Sequence, residues 1–344
     1  MQATVLILGA RGRFGMAAAR AFADAGWRVL GQTRPGAAPP AALPAKLPPD
    51  AAMSPRIEWL GIDPHDTPAL AAAARGASVV VHALNPAYTN KAWRTQVLPL
   101  MEAATAVTRM LDATLMVPGN VYNFGTTMPA VLREDTPQVA QTIKGQIRIG
   151  MEAQLRRSGV RGVVIRAGNF FGSGRGTLFD AAMVNRIRQG VFTSPGPREV
   201  ATAWAYLPDL ARSFVAVALK RAQLQRFEVF HFAGHTLSAQ DWLDALNPVA
   251  QAQGWVAPAG HLKYQTLPWT VLRLGALLLP TWAALVEMRY LSDTPHALTN
   301  DKLTALIGPE PHTPLALAAQ SALADLGLTA PLASPQELQV ATRA

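Results

Sequence analysis

The stretch Thr4-Val-Leu-Ile-Leu-Gly9-Ala-Arg-Gly12-Arg-Phe-Gly15 decides how this chain folds. Five apolar or β-branched residues indicate a buried strand, and the glycine-spaced turn after them leads into an alanine-rich helical segment, Met16 to Ala25. We expect Gly9 to make a tight bend, Gly12 to let a ligand approach the backbone, and Gly15 to let the helix pack closely on its strand. The stretch therefore predicts a strand–turn–helix unit that binds an anion.

The anion that fits such a turn is the pyrophosphate of a dinucleotide. Unpaired backbone N–H groups and the positive end of the helix dipole attract phosphates at a helix N-terminus. The spacing is G-x-x-G-x-x-G rather than the commoner G-x-G-x-x-G, but strand, turn and helix agree. A plain strand–helix turn without a ligand is the alternative. The residues predicted to bind the cofactor here are Gly9, Arg11, Gly12, Arg13, Phe14 and Gly15.

Composition narrows the class of protein. Half of the 344 residues are hydrophobic and 15% are charged, which is typical of a globular chain. The chain has no cysteine, so disulfides, zinc–thiolate sites and cysteine nucleophiles are excluded. The net charge of +9 would suit polyanions, but the arginines are scattered and no nucleic-acid-binding motif accompanies them. We predict a solvated basic surface and no nucleic-acid partner.

Two apolar segments are relevant to where in the cell the protein is located. The first lies at the N-terminus, where the apolar run ends in the glycine turn and so reads as a core strand rather than a signal peptide, which predicts a cytoplasmic protein. The second, Trp269 to Met288, is nearly all apolar, but Arg273 and Pro280 interrupt it. We interpret it as helical packing without stable membrane insertion; a membrane-associated segment is the alternative.

Strand and helix patterns alternate through the first half of the chain, which predicts an α/β fold: a Rossmann-like, doubly wound parallel sheet over residues 1–172, containing a Pro/Ala-rich surface loop at 35–55. The pattern weakens beyond Gly172. Residues 173–344 are predicted to form mainly a smaller, mixed substrate-binding lobe, with some segments returning to the Rossmann core. The elements predicted there are a helix near Leu178 to Arg188, a strand Phe227 to Phe232, and helices near Ser238 to Leu246 and Pro268 to Met288.

The end of the second strand selects the cofactor in such folds, because an acidic residue there favours NAD and an arginine accommodates the 2′-phosphate of NADP. This chain has Gly31-Gln-Thr33-Arg34 at that point and no carboxylate. Arg34, helped by Arg11 or Arg13, predicts a preference for NADP, with NAD as the alternative. Asp63, after the third strand, is a candidate to accept a hydrogen bond from adenine or to cap a helix.

Motifs along most of the chain resemble one family, the extended short-chain dehydrogenases/reductases of the NAD-dependent epimerase/dehydratase-like branch. The resemblance implies that Ala83, Leu84 and Asn169 also contact the cofactor. The residues that carry it, besides the first glycine turn, are Gly61-Ile-Asp63, Val80-Val-His82-Ala-Leu84, Asn120-Val-Tyr122-Asn123, Arg166-Ala-Gly-Asn169-Phe-Phe-Gly172, Ala205 to Ala211, Glu287 to Tyr290 and Thr299 to Leu317.

The chain departs from that family where the chemistry is expected. The resemblance implies a tyrosine and a lysine four residues apart on the active-site helix, with a serine or threonine after the preceding strand. Here the first two positions fall on Lys144 and Arg148, and the hydroxyl position falls near Pro118. The resemblance is thus to an atypical subgroup that lacks the usual Tyr-x-x-x-Lys pair.

Three residues remain as catalytic candidates. Lys144 and Arg148 are one helical turn apart, so both are expected to face the cleft. Lys144 is a candidate proton donor or anion ligand, whereas Arg148 can bind ribose hydroxyls but cannot release a proton near neutral pH. An exposed basic pair is the alternative. Tyr122 is the best remaining phenol for proton transfer. The candidate substrate-binding residues, each with a structural alternative, are Asn85, Tyr88, Asn120, Phe170 and Phe171.

Other reaction classes lack the residues they need. His231 and His235 do not share a helical face, so no metal site is predicted, and no serine stands in a hydrolase elbow. The predicted function is an NAD(P)-dependent oxidoreductase or epimerase/dehydratase-like enzyme for a small carbonyl, alcohol or sugar-derived substrate. The alternative is an NAD(P)-binding sensor without turnover. Helices that flank such sheets commonly pair two subunits, so a homodimer remains open.

Overall fold

The computed structural model describes residues 2–37 and 57–330. Most of the predicted Pro/Ala-rich loop therefore lies outside the described residues. The strands are β1 (Thr4–Leu8), β2 (Arg28–Gln32), β3 (Ile57–Leu60), β4 (Val79–His82), β5 (Thr114–Asn120), β6 (Val131–Leu132), β7 (Arg161–Ala167), β8 (Asn169–Phe171), β9 (Val191–Ser194), β10 (Thr202–Tyr206), β11 (Phe227–His231), β12 (His235–Leu237), β13 (Lys263–Thr266) and β14 (Ala297–Leu298). The helices are α1 (Arg13–Asp24), α2 (Thr67–Ala73), α3 (Asn90–Met110), α4 (Ile143–Arg157), α5 (Leu207–Leu219), α6 (Ala239–Ala252), α7 (Trp269–Gly275), α8 (Pro280–Glu287), α9 (Tyr290–Asp293), α10 (Asp301–Ile307) and α11 (Leu315–Asp325).

Seven parallel strands form the central sheet, in the order β11-β7-β5-β4-β1-β2-β3. The predicted Rossmann-like α/β fold is confirmed. The strand order reverses between β1 and β4, and ligands of doubly wound sheets bind at such a point, outside the carboxyl ends of the strands. The first glycine turn follows β1 and therefore lies at that edge.

Helices cover both faces of this sheet, because its strands are apolar on both sides. α1 and α5 pack on one face, where the rings of Phe14 and Phe214 lie 4.8 Å apart. α2, α3 and α4 cover the other face, with Trp93 and Met101 of α3 buried there. None of the helices in the described ranges is long and apolar enough to cross a bilayer.

The smaller lobe has its own core. A three-stranded sheet, β12-β10-β8, packs against α6 and α11 around the buried ring of Trp242. Two further two-stranded pairs, β13-β9 and β14-β6, complete the mixed lobe. β14 pairs in parallel with β6, a strand from the first half of the chain.

Three predicted elements differ in the structure. Phe227 to Phe232 forms β11, an edge strand of the central sheet rather than part of the lobe. Leu178 to Arg188 is no α-helix: it contains a π-helical turn, Phe179–Met183, and a short 3₁₀ turn, Ile187–Gln189. Pro268 to Met288 divides into α7 and α8, because Pro280 has no N–H to continue a helix and instead begins a new one.

Candidate functional site

A cleft of about 1680 Å³ opens at the carboxyl ends of the central strands. It brings together residues from the glycine turn, the β2, β4 and β5 ends, α4 and the α7–α8 segment. The predicted site residues that line it are Gly9, Arg11, Gly12, Arg13, Phe14, Arg34, Asp63, Ala83, Leu84, Asn85, Tyr88, Asn120, Tyr122, Arg148, Asn169 and Phe170. The predicted residues that do not line it are Gly15, Lys144 and Phe171.

The glycine turn has the close approaches that its spacing predicts. Gly9 adopts a φ of +75°, and a Cβ there would lie 3.0 Å from the carbonyl carbon of Ala83. A Cβ at Gly15 would lie 2.3 Å from the Gly9 oxygen, so only glycine lets α1 pack this closely on β1. Gly12 precedes α1 in an extended conformation, and no acidic residue stands in the first helical turn. The first-turn amides therefore face the cleft side without a carboxylate competing for them.

Gln32, which the sequence analysis missed, holds this turn in place. Its side-chain oxygen accepts a hydrogen bond from the Gly9 amide at 2.9 Å. Its side-chain nitrogen donates to the carbonyls of Thr33 at 2.8 Å and Ile62 at 2.7 Å. The only sequence signal is a polar residue at the end of a buried strand, because all three partners are backbone groups brought together by the fold. Gln32 thus ties the glycine turn to β2 and to the segment after β3.

Arg13 spans the entrance of the cleft. Its Nη1 donates to the carbonyl of Arg175 at 2.9 Å, across from the glycine turn. Burial lowers the pKa of Arg13, and the nearby Asp180 carboxylate partly offsets that effect. A guanidinium stays protonated even so, because its unperturbed pKa is above 12. The turn therefore carries a positive charge beside the first amides of α1.

The outer end beside β2 is the predicted ribose region. Arg11, Arg34 and Asp63 are exposed there and line the cleft. Asp63 accepts a hydrogen bond from the His65 amide at 2.8 Å, in a turn before α2. The helix cap considered for Asp63 belongs instead to Asp66, which accepts from the Ala69 amide at 3.2 Å. Asp63 therefore keeps one carboxylate oxygen for other partners.

Two phenols meet at the inner end of the cleft. The hydroxyls of Tyr88 and Tyr122 share a hydrogen bond, and burial together with this bond raises the pKa of Tyr88. Burial outweighs this bond and the Arg148 charge, and the pKa of Tyr122 is raised overall. Asn120 accepts from the Tyr122 amide at 3.1 Å and fixes the turn after β5. Tyr122 is therefore a neutral phenol at physiological pH.

Arg148 supplies the positive charge beside these phenols. Its guanidinium lies 5.1 Å from the centre of the Trp93 ring, and its Nη1 contacts the Met151 sulfur at 3.4 Å. Burial lowers the pKa of Arg148, whereas Tyr122 and Glu152 raise it. His82 also lines this end, and burial with the Arg148 charge lowers its pKa to about 3. The inner cleft thus holds a cation, two phenols and a neutral imidazole.

Lys144 lies behind this group rather than in the cleft. Its side chain is fully buried, with Nζ bonded to the Asn90 side chain and 3.6 Å from the Glu287 carboxylate. Nζ is also 4.7 Å from the centre of the Tyr88 ring. Burial lowers the pKa of Lys144, and Glu287 raises it. Because Glu287 also accepts from the Ile143 amide at 2.6 Å, this group joins the starts of α3 and α4 to the end of α8.

A second buried ion pair joins β7 to α4, outside the cleft lining. Arg166, at the end of β7, donates to both oxygens of Glu152 on α4, at 2.7 and 3.1 Å. Asn123 donates to the same carboxylate at 2.9 Å, and the His231 ring lies 3.4 Å from the guanidinium. Two-point pairing of this kind holds both ions in one geometry. The sequence analysis missed this network because its four members come from four separate elements.

The aromatic pair after β7 divides between two environments. Phe170 is half-buried and lines the cleft. Phe171 is fully buried in the smaller lobe, where its ring lies 5.0 Å from that of Trp242 and 5.2 Å from that of Tyr206. Successive residues of a strand point to opposite faces, which explains the division. Phe171 thus packs in the core of the lobe and does not reach the cleft.

The far wall of the cleft is apolar and was not predicted. It is built by the α7–α8 hairpin, defined here as residues 268–288. Its cleft-lining residues are Trp269, Leu272, Thr281, Trp282, Leu285 and Met288. Within residues 2–37 and 57–330, no group of three His, Asp or Glu side chains is arranged to hold a metal ion. His231 and His235 lie in separate packing environments, against Arg166 and His312 respectively.

Comparison with known proteins agrees with this geometry. The model of the family described as "NAD dependent epimerase/dehydratase family" matches residues 5–232. No curated protein matches the chain.

Solved structures share the fold at low identity. A protein of Burkholderia cenocepacia J2315 named as an epimerase is 18% identical, with a TM-score of 0.70, covering 94% of this chain and 97% of that one. The UDP-Glc/GlcNAc 4-epimerase of Campylobacter jejuni is 14% identical, with a TM-score of 0.68 and coverage of 94% and 98%. The Bordetella bronchiseptica enzyme WbmH, solved with NAD+, is 16% identical, with a TM-score of 0.66 and coverage of 94% and 98%.

Proposed function

The chain belongs to the NAD-dependent epimerase/dehydratase family, and from that membership we propose that it is a nicotinamide-dependent oxidoreductase or epimerase-like enzyme. Its substrate would be a small carbonyl or alcohol, sugar-derived compounds included. Related folds are found in sugar-nucleotide enzymes such as UDP-galactose 4-epimerase, which supports this substrate class without fixing it. Fold alone does not assign chemistry, so the argument turns on the cleft.

One observation carries the proposal: a single cleft joins a glycine cradle at one end to the Tyr122–Arg148 pair at the other. The cradle fits a pyrophosphate, because Gly12 leaves room for close approach, the first amides of α1 are uncapped, and Arg13 adds a charge. The unpartnered Nδ1 of His82 and Nε1 of Trp93, both buried cleft residues, offer polar contacts further along. The residues present thus fit a dinucleotide.

Tyr122 is the proposed acid–base residue. When bound, the dinucleotide would supply a hydride donor or acceptor. Because the pKa of Tyr122 is raised, its hydroxyl is protonated at neutral pH and can give a proton to a developing alkoxide. The phenolate left behind would accept from the Tyr88 hydroxyl and lie near the Arg148 charge. This arrangement favours carbonyl reduction at neutral pH.

Lys144 is proposed as a positioning residue. The sequence analysis expected it to face the cleft, but its ammonium is paired with Asn90 and Glu287 behind the Tyr88 ring. A buried ammonium in that place can fix the ring of Tyr88 and so the hydroxyl that bonds Tyr122. Its role in proton transfer stays a prediction.

NADP is the proposed preference over NAD. Arg34 and Arg11 line the cleft at the end of β2, where the ribose 2′ position is expected in this fold. A 2′-phosphate there would meet cations, and no carboxylate follows β2 directly to repel it.

The test begins with binding. Purified protein is titrated with NADPH and NADH by fluorescence, and then supplied with a panel of aldehydes, ketones and their alcohols while cofactor absorbance is followed. We expect saturable binding, tighter for NADPH, and carbonyl-dependent oxidation of the cofactor. Failure of both reduced cofactors to bind would contradict the proposal, and Gly12→Val, which fills the cradle, is the matched negative control.

A sensor that binds the cofactor without turnover is the second candidate. One observation favours it: the first-turn cation of α4, Lys144, is paired within the protein and is not available to the cleft. Tight NADPH binding with no turnover across the panel would favour this candidate over the enzyme.

A further inference from the structure

We propose that the tip of the α7–α8 hairpin seats in the surface of an anionic lipid bilayer and delivers an apolar substrate from it to the cleft. Binding of the hairpin tip to the bilayer is independent of the proposed function, whereas the proposed apolar substrate rests on that function. The argument uses the exposure of the hairpin tip, its rigidity, the charges around its base and the lining of the cleft behind it.

The tip is the most exposed apolar surface of the described chain. Leu277 and Leu278 are 84% and 86% exposed, and three neighbours, Val271, Leu274 and Leu279, are also exposed. Single exposed leucines are ordinary in soluble proteins. Five exposed large apolar side chains within nine residues of sequence are a concentration of apolar surface of the kind that marks an interaction site.

The hairpin holds this patch outward as a packed unit. A Cβ at Gly275 would lie 2.3 Å from the Trp282 ring, so glycine there lets α7 and α8 approach closely. The connecting turn is closed by the amides of Leu278 and Leu279, which donate to the Gly275 carbonyl at 3.0 and 2.8 Å. The leucines thus project from a closed turn, although nothing else in the described chain covers them.

Charge selects the partner. Arg273 is exposed on α7, and α8 packs on the first half of α3, where Lys91 and Arg94 are exposed. The hairpin's acidic residue, Glu287, is already paired with Lys144. An apolar tip above a basic base matches a bilayer with anionic headgroups, since basic residues lie at headgroup level and leucines below it. The net charge of +9 adds long-range attraction.

The dimensions also fit an interfacial seat. α8 has eight residues and is therefore about 12 Å long at 1.5 Å per residue. Interfacial segments bury their apolar side roughly 5–10 Å below the headgroup boundary. The hairpin is thus long enough to enter the interface and too short to span a bilayer.

The opposite side of the same hairpin links binding at the bilayer to the cleft. Leu272, Trp282 and Leu285 belong to the far wall of the cleft. An apolar wall there suits an alkyl or isoprenoid group better than a charged sugar nucleotide, because a buried charge needs a paired partner. A bilayer-dissolved carbonyl or alcohol would pass along the hairpin to Tyr122.

Vesicle flotation with the full chain tests the seat. We expect the protein to float with phosphatidylcholine vesicles containing phosphatidylglycerol, and less in high salt or with phosphatidylcholine alone. Leu277→Asp/Leu278→Asp should lower the vesicle partition coefficient at least about tenfold, because it removes the two alkyl groups that would enter the bilayer. Lys91→Gln and Arg94→Gln should each lower it about fivefold. The matched control is Leu219→Asp/Met110→Asp, which changes residues 62% and 56% exposed elsewhere and should float like the wild type.

Two outcomes would overturn the proposal. One is no flotation of the wild type, or equal flotation of the Leu277→Asp/Leu278→Asp variant. The other is a dimer in size-exclusion light scattering that this variant converts to monomer, which would assign the tip to a second copy of the chain. NADPH titration of the same samples keeps the two proposals separate: flotation without cofactor binding would overturn only the proposed function. With an active enzyme, the variant should lose turnover of a vesicle-borne long-chain aldehyde while keeping that of a water-soluble one.

Discussion

At the scale of single residues, Tyr122 carries the chemical proposal. Its phenol is hydrogen-bonded to Tyr88 and lies near Arg148, yet burial keeps its pKa raised. Tyr122→Phe should lower the rate of carbonyl reduction about 10²–10⁴-fold, the usual contribution of a general acid, with little change in NADPH affinity. Steady-state kinetics and cofactor titration measure the two quantities. Tyr264→Phe, which removes a phenol outside the cleft lining, is the control and should leave both unchanged.

The Tyr122 phenol also determines how the reaction rates depend on pH. Since the raised pKa keeps Tyr122 protonated, carbonyl reduction should be flat between about pH 6 and 9, and alcohol oxidation should rise with pH over that range. His82 does not titrate there, because its pKa is lowered to about 3. An oxidation rate that falls as pH rises would contradict the role of Tyr122.

Arg34 is the residue that tests cofactor choice. It is exposed at the end of β2 and lines the cleft. Arg34→Ala should weaken NADPH binding about 10–100-fold, the value of a hydrogen bond between charged groups, while NADH affinity stays within about twofold. Arg20→Ala, an exposed arginine of α1 outside the cleft lining, is the control. Equal losses for both cofactors would show that Arg34 does not read the 2′-phosphate.

At the scale of elements, one buried ion pair docks α8 on α3 and α4. Lys144 bonds Asn90 and faces Glu287, whose other oxygen accepts from the Ile143 amide. Lys144→Met should lower the free energy of unfolding by about 3 kcal/mol, because it leaves a carboxylate without its counter-ion. Adding Glu287→Gln should restore part of that loss. Urea titrations of the two single variants and the double variant measure the coupling.

Kinetics on these variants separate two roles for Lys144. If Lys144 acts only by docking α8, turnover should recover together with stability in the Lys144→Met/Glu287→Gln double variant. Turnover that stays low while stability returns would assign the Lys144 ammonium a further role beside the Tyr88 ring.

Helices and strands with strong periodicity could be predicted, and those defined by their neighbours could not. The β1–α1 unit follows from the glycine spacing and the continuous apolar run before it, and the structure has it at Thr4–Leu8 and Arg13–Asp24. Pro268 to Met288 is nearly all apolar and has no distinct polar face, so Pro280 was the one sequence signal for its division into two helices. The π-helical turn at Phe179–Met183 depends on packing within the lobe.

At the scale of the whole molecule, pairing between strands far apart in the sequence limited what could be predicted. The parallel sheet follows from the alternation of elements, but the addition of β11 to its edge depends on a strand some 60 residues beyond β7. In the site, the glycine cradle was readable because its members are consecutive. Three other features could not be predicted, because each depends on contacts between distant segments: Gln32, the Arg166–Glu152 pair and the apolar wall of the α7–α8 hairpin.

Buried neutral histidines make the whole fold sensitive to acid. The pKa values of His82 and His231 are lowered to about 3, chiefly by burial. Because the unfolded chain takes up protons near pH 6.5, stability is lost as pH falls from about 6.5 toward 3. Each histidine should lower the free energy of unfolding by about 2 kcal/mol at pH 5 relative to pH 7.5. Urea titrations at the two pH values measure the difference.

Matched substitutions isolate this effect. His231→Gln should reduce the pH dependence of stability, whatever its effect on absolute stability. His65→Gln, an exposed histidine, should leave that dependence unchanged. A pH dependence that His231→Gln does not alter would place the acid sensitivity elsewhere.

The late arrival of β11 has a consequence for biosynthesis. During translation, β7 is made before its neighbour β11, so one edge of β7 stays unpaired until the lobe segment and α5 have been translated. At roughly 5–20 residues per second, the apolar stretch Gly-Val-Val-Ile of β7 stays uncovered for several seconds. We expect nascent-chain chaperones to raise the soluble yield of this protein by acting in that interval, when an unpaired strand can recruit another polypeptide.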